Sequence, residues 1–173
     1  MTKSVEIDLP TPDWERRLLA LWNDLDALGD SEFTQRMKRL VEELSPLDRV
    51  ALFELGAACD STGLPSEAVS FYERALAKGL SGLSRRRACI QMASSLRNLG
   101  NPARAAEILF AERRAPSDEL DQAVAAFLAL ALVDLGRERE AVAVSLGALS
   151  TYLPRYNRSL ARYAEALGVV RAS

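Results

Sequence analysis

Apolar residues recur at helical spacing along nearly the whole chain, and no stretch of six or more residues alternates strictly between apolar and polar positions. The pattern predicts an all-α protein. Prolines, glycines and capping residues such as Thr11 divide it into about nine short helices. The predicted helices span approximately residues 12–28, 31–44, 46–62, 65–78, 84–99, 102–114, 118–135, 138–151 and 155–169.

Glycines separate these helices into pairs. Gly29, Gly63, Gly100 and Gly136 each lie between two predicted helices, at spacings of 34, 37 and 36 residues. Self-similarity at this length is typical of helix-turn-helix arrays, in which each pair buries its apolar face against its neighbours. The sequence therefore predicts a helical repeat.

Aligning the last three pairs on their glycines brings small residues into register. Seven positions upstream are Gly56, Ala93 and Ala129, and five positions downstream are Ala68, Ala105 and Ala141. Apolar residues fill the positions eight and four upstream, which gives each first helix an apolar stripe. We expect the two helices of each pair to cross closely at the small residues.

This pattern resembles the tetratricopeptide repeat. The copy with most of the family's hallmark residues contains Leu52, Leu55, Gly56, Gly63, Ala68, Tyr72 and Ala75. The next copy departs from the pattern at Glu112 and the last at Ser145. The chain also resembles small stand-alone bacterial proteins of this repeat class that have no assigned function. The resemblance implies an α-solenoid of antiparallel helix pairs with a right-handed superhelical course.

The expected organisation follows from this register. An N-terminal tail spans residues 1–11, and the repeat array spans residues 12–153. Within the array we expect a degenerate first pair at 12–44 and repeats at about 46–80, 84–116 and 118–153. Residues 154–173 contain an amphipathic helix that is expected to cap the array.

The resemblance implies that a concave groove, lined by the first helix of each pair, binds a peptide or a partner helix. Arg87, Gln91, Ser94 and Asn98 follow one another at i, i+4, i+7 and i+11, so they share one helix face. They could pair with a peptide backbone or a carboxylate. The candidate apolar anchors are Phe53, Phe127 and Leu130. The alternative is that the polar row is simply a solvated helix face.

Two further segments allow more than one interpretation. The helix around Ala123–Val133 is apolar on every side, so the final helix, a second copy of the chain or a bound apolar segment should cover it. Arg85, Arg86 and Arg87 form a basic run that is either solvated, paired with acidic side chains or weakly suited to phosphate.

Composition excludes most catalytic chemistry. The chain has no histidine, its two cysteines are thirty residues apart, and it contains no nucleotide-binding or hydrolase motif. We therefore expect no enzymatic activity, cofactor or metal, and we expect Cys59 and Cys89 to be small core residues. The opening residues do not resemble a secretory signal, no apolar run would span a membrane, and neither half of the chain has the strong basic excess expected of a nucleic-acid-binding surface. A cytoplasmic location is expected.

Three functions remain open. The first is a non-enzymatic scaffold that binds a protein segment in its groove. The second is a self-assembling, homodimeric structural protein, and the third is a peptide or small-ligand sensor.

Overall fold

The computed structural model describes residues 10–45 and 48–168, and within these ranges the chain forms nine α-helices and no strand. The helices are α1 Pro12–Asn23, α2 Asp30–Val41, α3 Arg49–Ser61, α4 Pro65–Ala77, α5 Gly82–Asn98, α6 Pro102–Arg113, α7 Asp121–Asp134, α8 Glu138–Ser150 and α9 Asn157–Gly168. They divide into two compact units, residues 1–80 and residues 81–173. Within each unit, every helix packs against the next one, which confirms the all-α helical-repeat fold.

Three turns between paired helices close in the same way. Gly63, Gly100 and Gly136 have φ values of 76°, 76° and 69°, in the left-handed region that glycine adopts without strain. The residue after each glycine donates its backbone N–H to a carbonyl five residues earlier, over 2.8 to 2.9 Å. This is the hydrogen bond of a Schellman motif, and it ends each first helix at the same place in the repeat.

Small residues lie where paired helices cross, as expected. Ala68, Ala105 and Ala141 are buried on the second helices, and Ala93 and Ala129 are buried on the first. At Gly56 the approach is closest, because a Cβ atom there would lie 2.8 Å from the ring of Tyr72 on α4. A side chain larger than hydrogen does not fit at this crossing.

The first helix pair departs from the repeat register. α1 ends at Asn23, five residues earlier than predicted, and Gly29 has a φ of −71° and serves as the N-cap of α2. Gly29 is therefore not equivalent to the other three glycines. Two tryptophans hold the pair in place. The indole of Trp14 donates to the Leu40 carbonyl of α2 at 2.9 Å, and the indole of Trp22 donates to Glu54 of α3 at 2.8 Å.

Several predicted boundaries are wrong by two or three residues. Asp48 caps α3 by accepting hydrogen bonds from Val50 and Ala51, so the helix starts three residues after the predicted Pro46, which is outside the described residues. α7 starts at Asp121 because Asp118 instead accepts from the backbone N–H of Leu120 in a turn. The expected tail at 1–11 lies outside the described residues except for positions 10 and 11.

Candidate interaction site

The polar row predicted on α5 lies on the surface of the second unit. Arg87 and Asn98 are exposed, whereas Gln91 and Ser94 are half-buried. The opposite side of α5 is buried through Ala88, Cys89, Met92, Ala93 and Leu96. The row is thus the accessible side of an otherwise buried helix.

Gln91 has an unusual environment for a polar side chain in this row. Its Oε1 atom is buried and accepts no hydrogen bond from the described part of the chain. A buried carbonyl oxygen without a donor is costly, and most such atoms in proteins have a partner. This oxygen is shielded from solvent, so the accessible part of the half-buried Gln91 side chain is the rest of its amide and stem.

α7 lies beside α5 and carries the two predicted apolar anchors of the second unit, Phe127 and Leu130. The guanidinium of Arg97 donates to Asp134 at 2.6 Å, which links the last turns of the two helices. Phe127 is half-buried and Leu130 is 46% exposed. We call Arg87, Gln91, Ser94, Asn98, Phe127 and Leu130 the ligand face; all six belong to the second unit.

Phe53 does not belong with these residues. It lies in the first unit and is 2% exposed, with its ring centroid 6.2 Å from that of Tyr72. The resemblance and its repeat register predict Phe53 on the groove side of α3, but its aromatic ring packs into the core of α3 and α4. The prediction that Phe53 is an exposed apolar anchor is therefore wrong.

Two residues of the basic run at the start of α5, Arg85 and Arg86, form ion pairs with acidic side chains. We call this cluster the arginine clamp. Arg86 is 3% exposed and donates to Asp121 at 2.7 Å and to the carbonyl oxygen of Glu112 at 3.1 Å, while its other terminal nitrogen lies 2.5 Å from Asp118. Arg85 pairs with both carboxylate oxygens of Glu112, one of them at 2.9 Å. The acid-paired interpretation is confirmed for these two arginines, and Arg87 is the exposed member of the run.

Glu112, the residue at which the second repeat departs from the family pattern, is a buried carboxylate. It stands where the first repeat has the small residue Ala75, and it is 2% exposed. Burial of a carboxylate requires a cationic partner, which Arg85 and Arg86 provide. The repeat pattern identifies Glu112 as a departure, but the sequence alone does not connect it to the basic run.

The arginine clamp also shifts the ionisation of its carboxylates. The pKa of Asp118 is lowered chiefly by its hydrogen bond with Arg86, and the pKa of Asp121 is lowered by hydrogen bonds with Ser117 and Arg86. Hydrogen bonds with Asp118 and Asp121 raise the pKa of Arg86. These groups therefore remain charged at neutral pH and hold α5 against the start of α7.

The cysteines are buried free thiols, as expected for core residues. Burial raises the pKa of Cys59, and it raises the pKa of Cys89 to about 12. Among the described residues, no group of acidic or cysteine side chains could hold a metal ion. None of the described helices is both long and apolar enough to cross a membrane.

One apolar face of the last helix pair remains uncovered. Leu130, Val133 and Val142 are 46 to 49% exposed around a groove of about 550 Å³, whose other residues include Ala129, Ala141 and Ser145. We call these six residues the open face. The final helix, α9, packs against α8 without contacting α7, and lies beside Ala143 and Val144 on another side of α8. It therefore does not cover α7.

Short helix pairs, repeated glycine turns and small residues at the crossings define a helical-repeat protein. The sequence model of the tetratricopeptide repeat family matches residues 49–167, and the chain belongs to this family. No curated protein and no solved structure matched the chain. Repeats of this family generally mediate contacts between proteins and are typically not enzymes.

Proposed function

We propose that the protein is a non-enzymatic interaction scaffold that binds an extended, acidic segment of another protein on its ligand face. The observation that carries the proposal is the polar row on the accessible side of α5, in which Arg87 and Asn98 are exposed and Gln91 and Ser94 are half-buried. The backbone of an extended segment would pair with these side chains, since such a segment presents unpaired donors and acceptors along its length.

The charge of this part of the chain favours an acidic ligand. Residues 81–173 carry 13 basic and 9 acidic side chains, whereas residues 1–80 carry 9 basic and 15 acidic ones. Within the ligand face, Arg87 is the charged residue, and its planar guanidinium suits a carboxylate. Phe127 and Leu130 on α7 provide an apolar contact beside this polar row.

A peptide-display library screened against the immobilised protein would test this proposal. Individual peptides would then be titrated by fluorescence polarisation against the wild type and two variants. We expect Arg87→Glu to weaken binding at least tenfold by placing a negative charge against the acidic segment. Gln91→Met should weaken it about tenfold, because the amide that can pair with a peptide backbone is removed while the side-chain volume is retained.

Arg104→Glu on the exposed side of α6 is the matched control, since it makes the same charge change in the same unit outside the ligand face. Its affinity should stay within about twofold of the wild type. Peptides that bind the Arg87→Glu and Gln91→Met variants as tightly as the wild type would overturn the proposal. A library that yields no binding peptide would also contradict it.

A further inference from the structure

The segment that joins α8 to α9 and continues along α9 exposes three of the four tyrosines of the chain. Tyr152, Tyr156 and Tyr163 are 69%, 78% and 66% exposed, whereas Tyr72 is buried. Tyrosine rings have a large apolar surface and are enriched where proteins meet a partner. Three exposed rings within twelve residues therefore indicate an interaction surface.

Three arginines lie between these rings in the sequence. Arg155, Arg158 and Arg162 are exposed, and no acidic residue occurs from Ala141 to Ala164. Within residues 10–45 and 48–168, no carboxylate forms an ion pair with any of the three arginines. We call the six residues the arginine–tyrosine face: Tyr152, Arg155, Tyr156, Arg158, Arg162 and Tyr163. All of them belong to the second unit.

Tyr156 has an unusual backbone conformation for a residue with a side chain. Its φ is 66°, and no other non-glycine residue in the described part of the chain has a positive φ. Its carbonyl oxygen accepts a hydrogen bond from Leu160 of α9 at 2.9 Å. A left-handed backbone is unfavourable for tyrosine, and residues in such conformations are concentrated at functional sites. The chain thus carries an exposed ring where glycine or asparagine would suit the backbone better.

The combination of cations and rings limits the kind of partner that fits. An acidic peptide would pair with the arginines but would leave the rings in water. Insertion into an anionic bilayer requires exposed aliphatic side chains, whereas Leu153 and Leu160 are half-buried here and Ala164 is buried against α8. A single strand of nucleic acid offers a phosphate for an arginine and a flat base for a ring at every nucleotide.

From these observations we propose that the arginine–tyrosine face binds single-stranded nucleic acid, with its arginines on phosphates and its tyrosines stacked on bases. Tyr156 and Tyr163 are seven positions apart, so they lie on one side of α9 and about 10 Å apart along its axis. A stacked strand advances about 3.4 Å per nucleotide, so about three steps join the two rings. Charge counts over whole halves of the chain predict no such binding, because they average this segment with acidic ones.

Fluorescence anisotropy of a labelled single-stranded DNA of mixed sequence, about 15 nucleotides long and titrated with the whole chain, tests this proposal. We expect a dissociation constant on the order of 10 µM at about 50 mM salt, as for other binding without base-specific contacts. The logarithm of this constant should rise with that of the salt concentration with a slope of about 2, since each of three phosphates contributes about 0.7. The duplex of the same sequence should bind at least about fivefold more weakly, because its base faces are inaccessible.

Substitutions of the tyrosines separate stacking from other contacts. Tyr163→Leu should weaken binding at least about fivefold, because leucine keeps an apolar side chain but lacks the flat ring. Tyr163→Phe keeps the ring and should leave the affinity within about twofold of the wild type. Tyr156→Asn should also weaken binding at least about fivefold without loss of stability in urea, because asparagine tolerates the left-handed backbone.

Substitutions of the arginines test the phosphate contacts. The double variant Arg158→Gln, Arg162→Gln should lower the salt slope by about 1.4, the contribution of two phosphates. Arg104→Gln on the exposed side of α6 is the matched control, because it removes a cation of the same unit outside this face. It should change neither the slope nor the affinity. Circular dichroism of every variant should show unchanged helicity.

Four results would overturn the proposal. The first is the absence of binding at about 200 µM protein, and the second is equal affinity for the single strand and the duplex. The third is displacement of the oligonucleotide by polyglutamate at an equal concentration of charge, which would indicate an acidic protein segment. The fourth is a chain that ignores the oligonucleotide but binds phosphatidylserine vesicles, more tightly still as Tyr163→Leu, which would indicate a membrane surface.

This proposal and the proposed peptide site can fail independently. No residue of the arginine–tyrosine face belongs to the ligand face, so the Arg158→Gln, Arg162→Gln variant should bind peptides with wild-type affinity. Loss of peptide binding in that variant would show that the two surfaces are one site, and would overturn the assignment of this face to nucleic acid.

Discussion

The guanidinium of Arg86 donates to the carboxylate of Asp121 over 2.7 Å and so joins the first helix of one repeat to the first helix of the next. The same side chain reaches Asp118 and the carbonyl oxygen of Glu112. A single buried arginine thus holds the connection between α6 and α7 in place. These contacts offset the unfavourable interaction of a cation with the helix dipole near the start of α5.

Replacing Arg86 should destabilise the protein. We expect Arg86→Met to lower the free energy of unfolding by about 3 kcal/mol, at the lower end of the range for a broken buried ion pair, because Asp118 and Asp121 are partly exposed and can rehydrate. Urea unfolding followed by circular dichroism measures this loss. Arg87→Met, one residue along on the exposed side of α5, should change it by at most about 1 kcal/mol, because interactions of an exposed side chain contribute little to stability. Equal effects of the two substitutions would contradict the clamp.

The same clamp predicts a dependence of stability on pH. Asp118 and Asp121 have lowered pKa values in the folded chain, so their contribution is fully present above the ordinary carboxyl pKa and is lost as the pH falls through the lowered values. Calorimetry from about pH 7 to about pH 2 should therefore show a falling melting temperature. The double variant Asp118→Asn, Asp121→Asn should be less stable at neutral pH, and this difference should shrink in acid. Melting curves that stay equally far apart at every pH would contradict the assignment.

Replacing glycine with alanine should have opposite effects on stability at the close crossing of α3 and α4 and in α8. Gly56→Ala should lower the free energy of unfolding by about 1 to 3 kcal/mol, because the new methyl group would lie 2.8 Å from the Tyr72 ring. Gly147→Ala in α8 should raise it by about 1 kcal/mol, since nothing lies within 4 Å of the added atom and alanine favours the helix. Urea unfolding of both variants provides the measurement, and stabilisation at Gly56 would show that the crossing is looser than described.

The repeat register was predictable because it depends on local chemistry. Gly63, Gly100 and Gly136 each require a left-handed backbone, and the alanines around them are required by close helix crossings. These signals lie within about ten residues of one another in the sequence. Gly29 shows the limit of such a signal, since a glycine between two helices can also serve as an N-cap.

The remaining features depend on contacts between distant positions. Glu112 is an anomaly in its own repeat until Arg85 and Arg86, some 26 residues earlier, are brought beside it. Phe53 has the spacing of a groove residue, but its exposure depends on where its ring turns, toward Tyr72. Periodicity likewise identifies α9 as amphipathic, yet the side of α8 that it covers is decided by packing and not by its own pattern.

The recurrence of one turn geometry at Gly63, Gly100 and Gly136 has a consequence for engineering. A cassette of the 36 residues from Asn101 to Gly136 begins and ends at equivalent points of that turn. Duplicating this cassette in tandem would join its copies through the same Schellman hydrogen bond at both seams. The chain can therefore be lengthened by whole modules, without the design of a new junction.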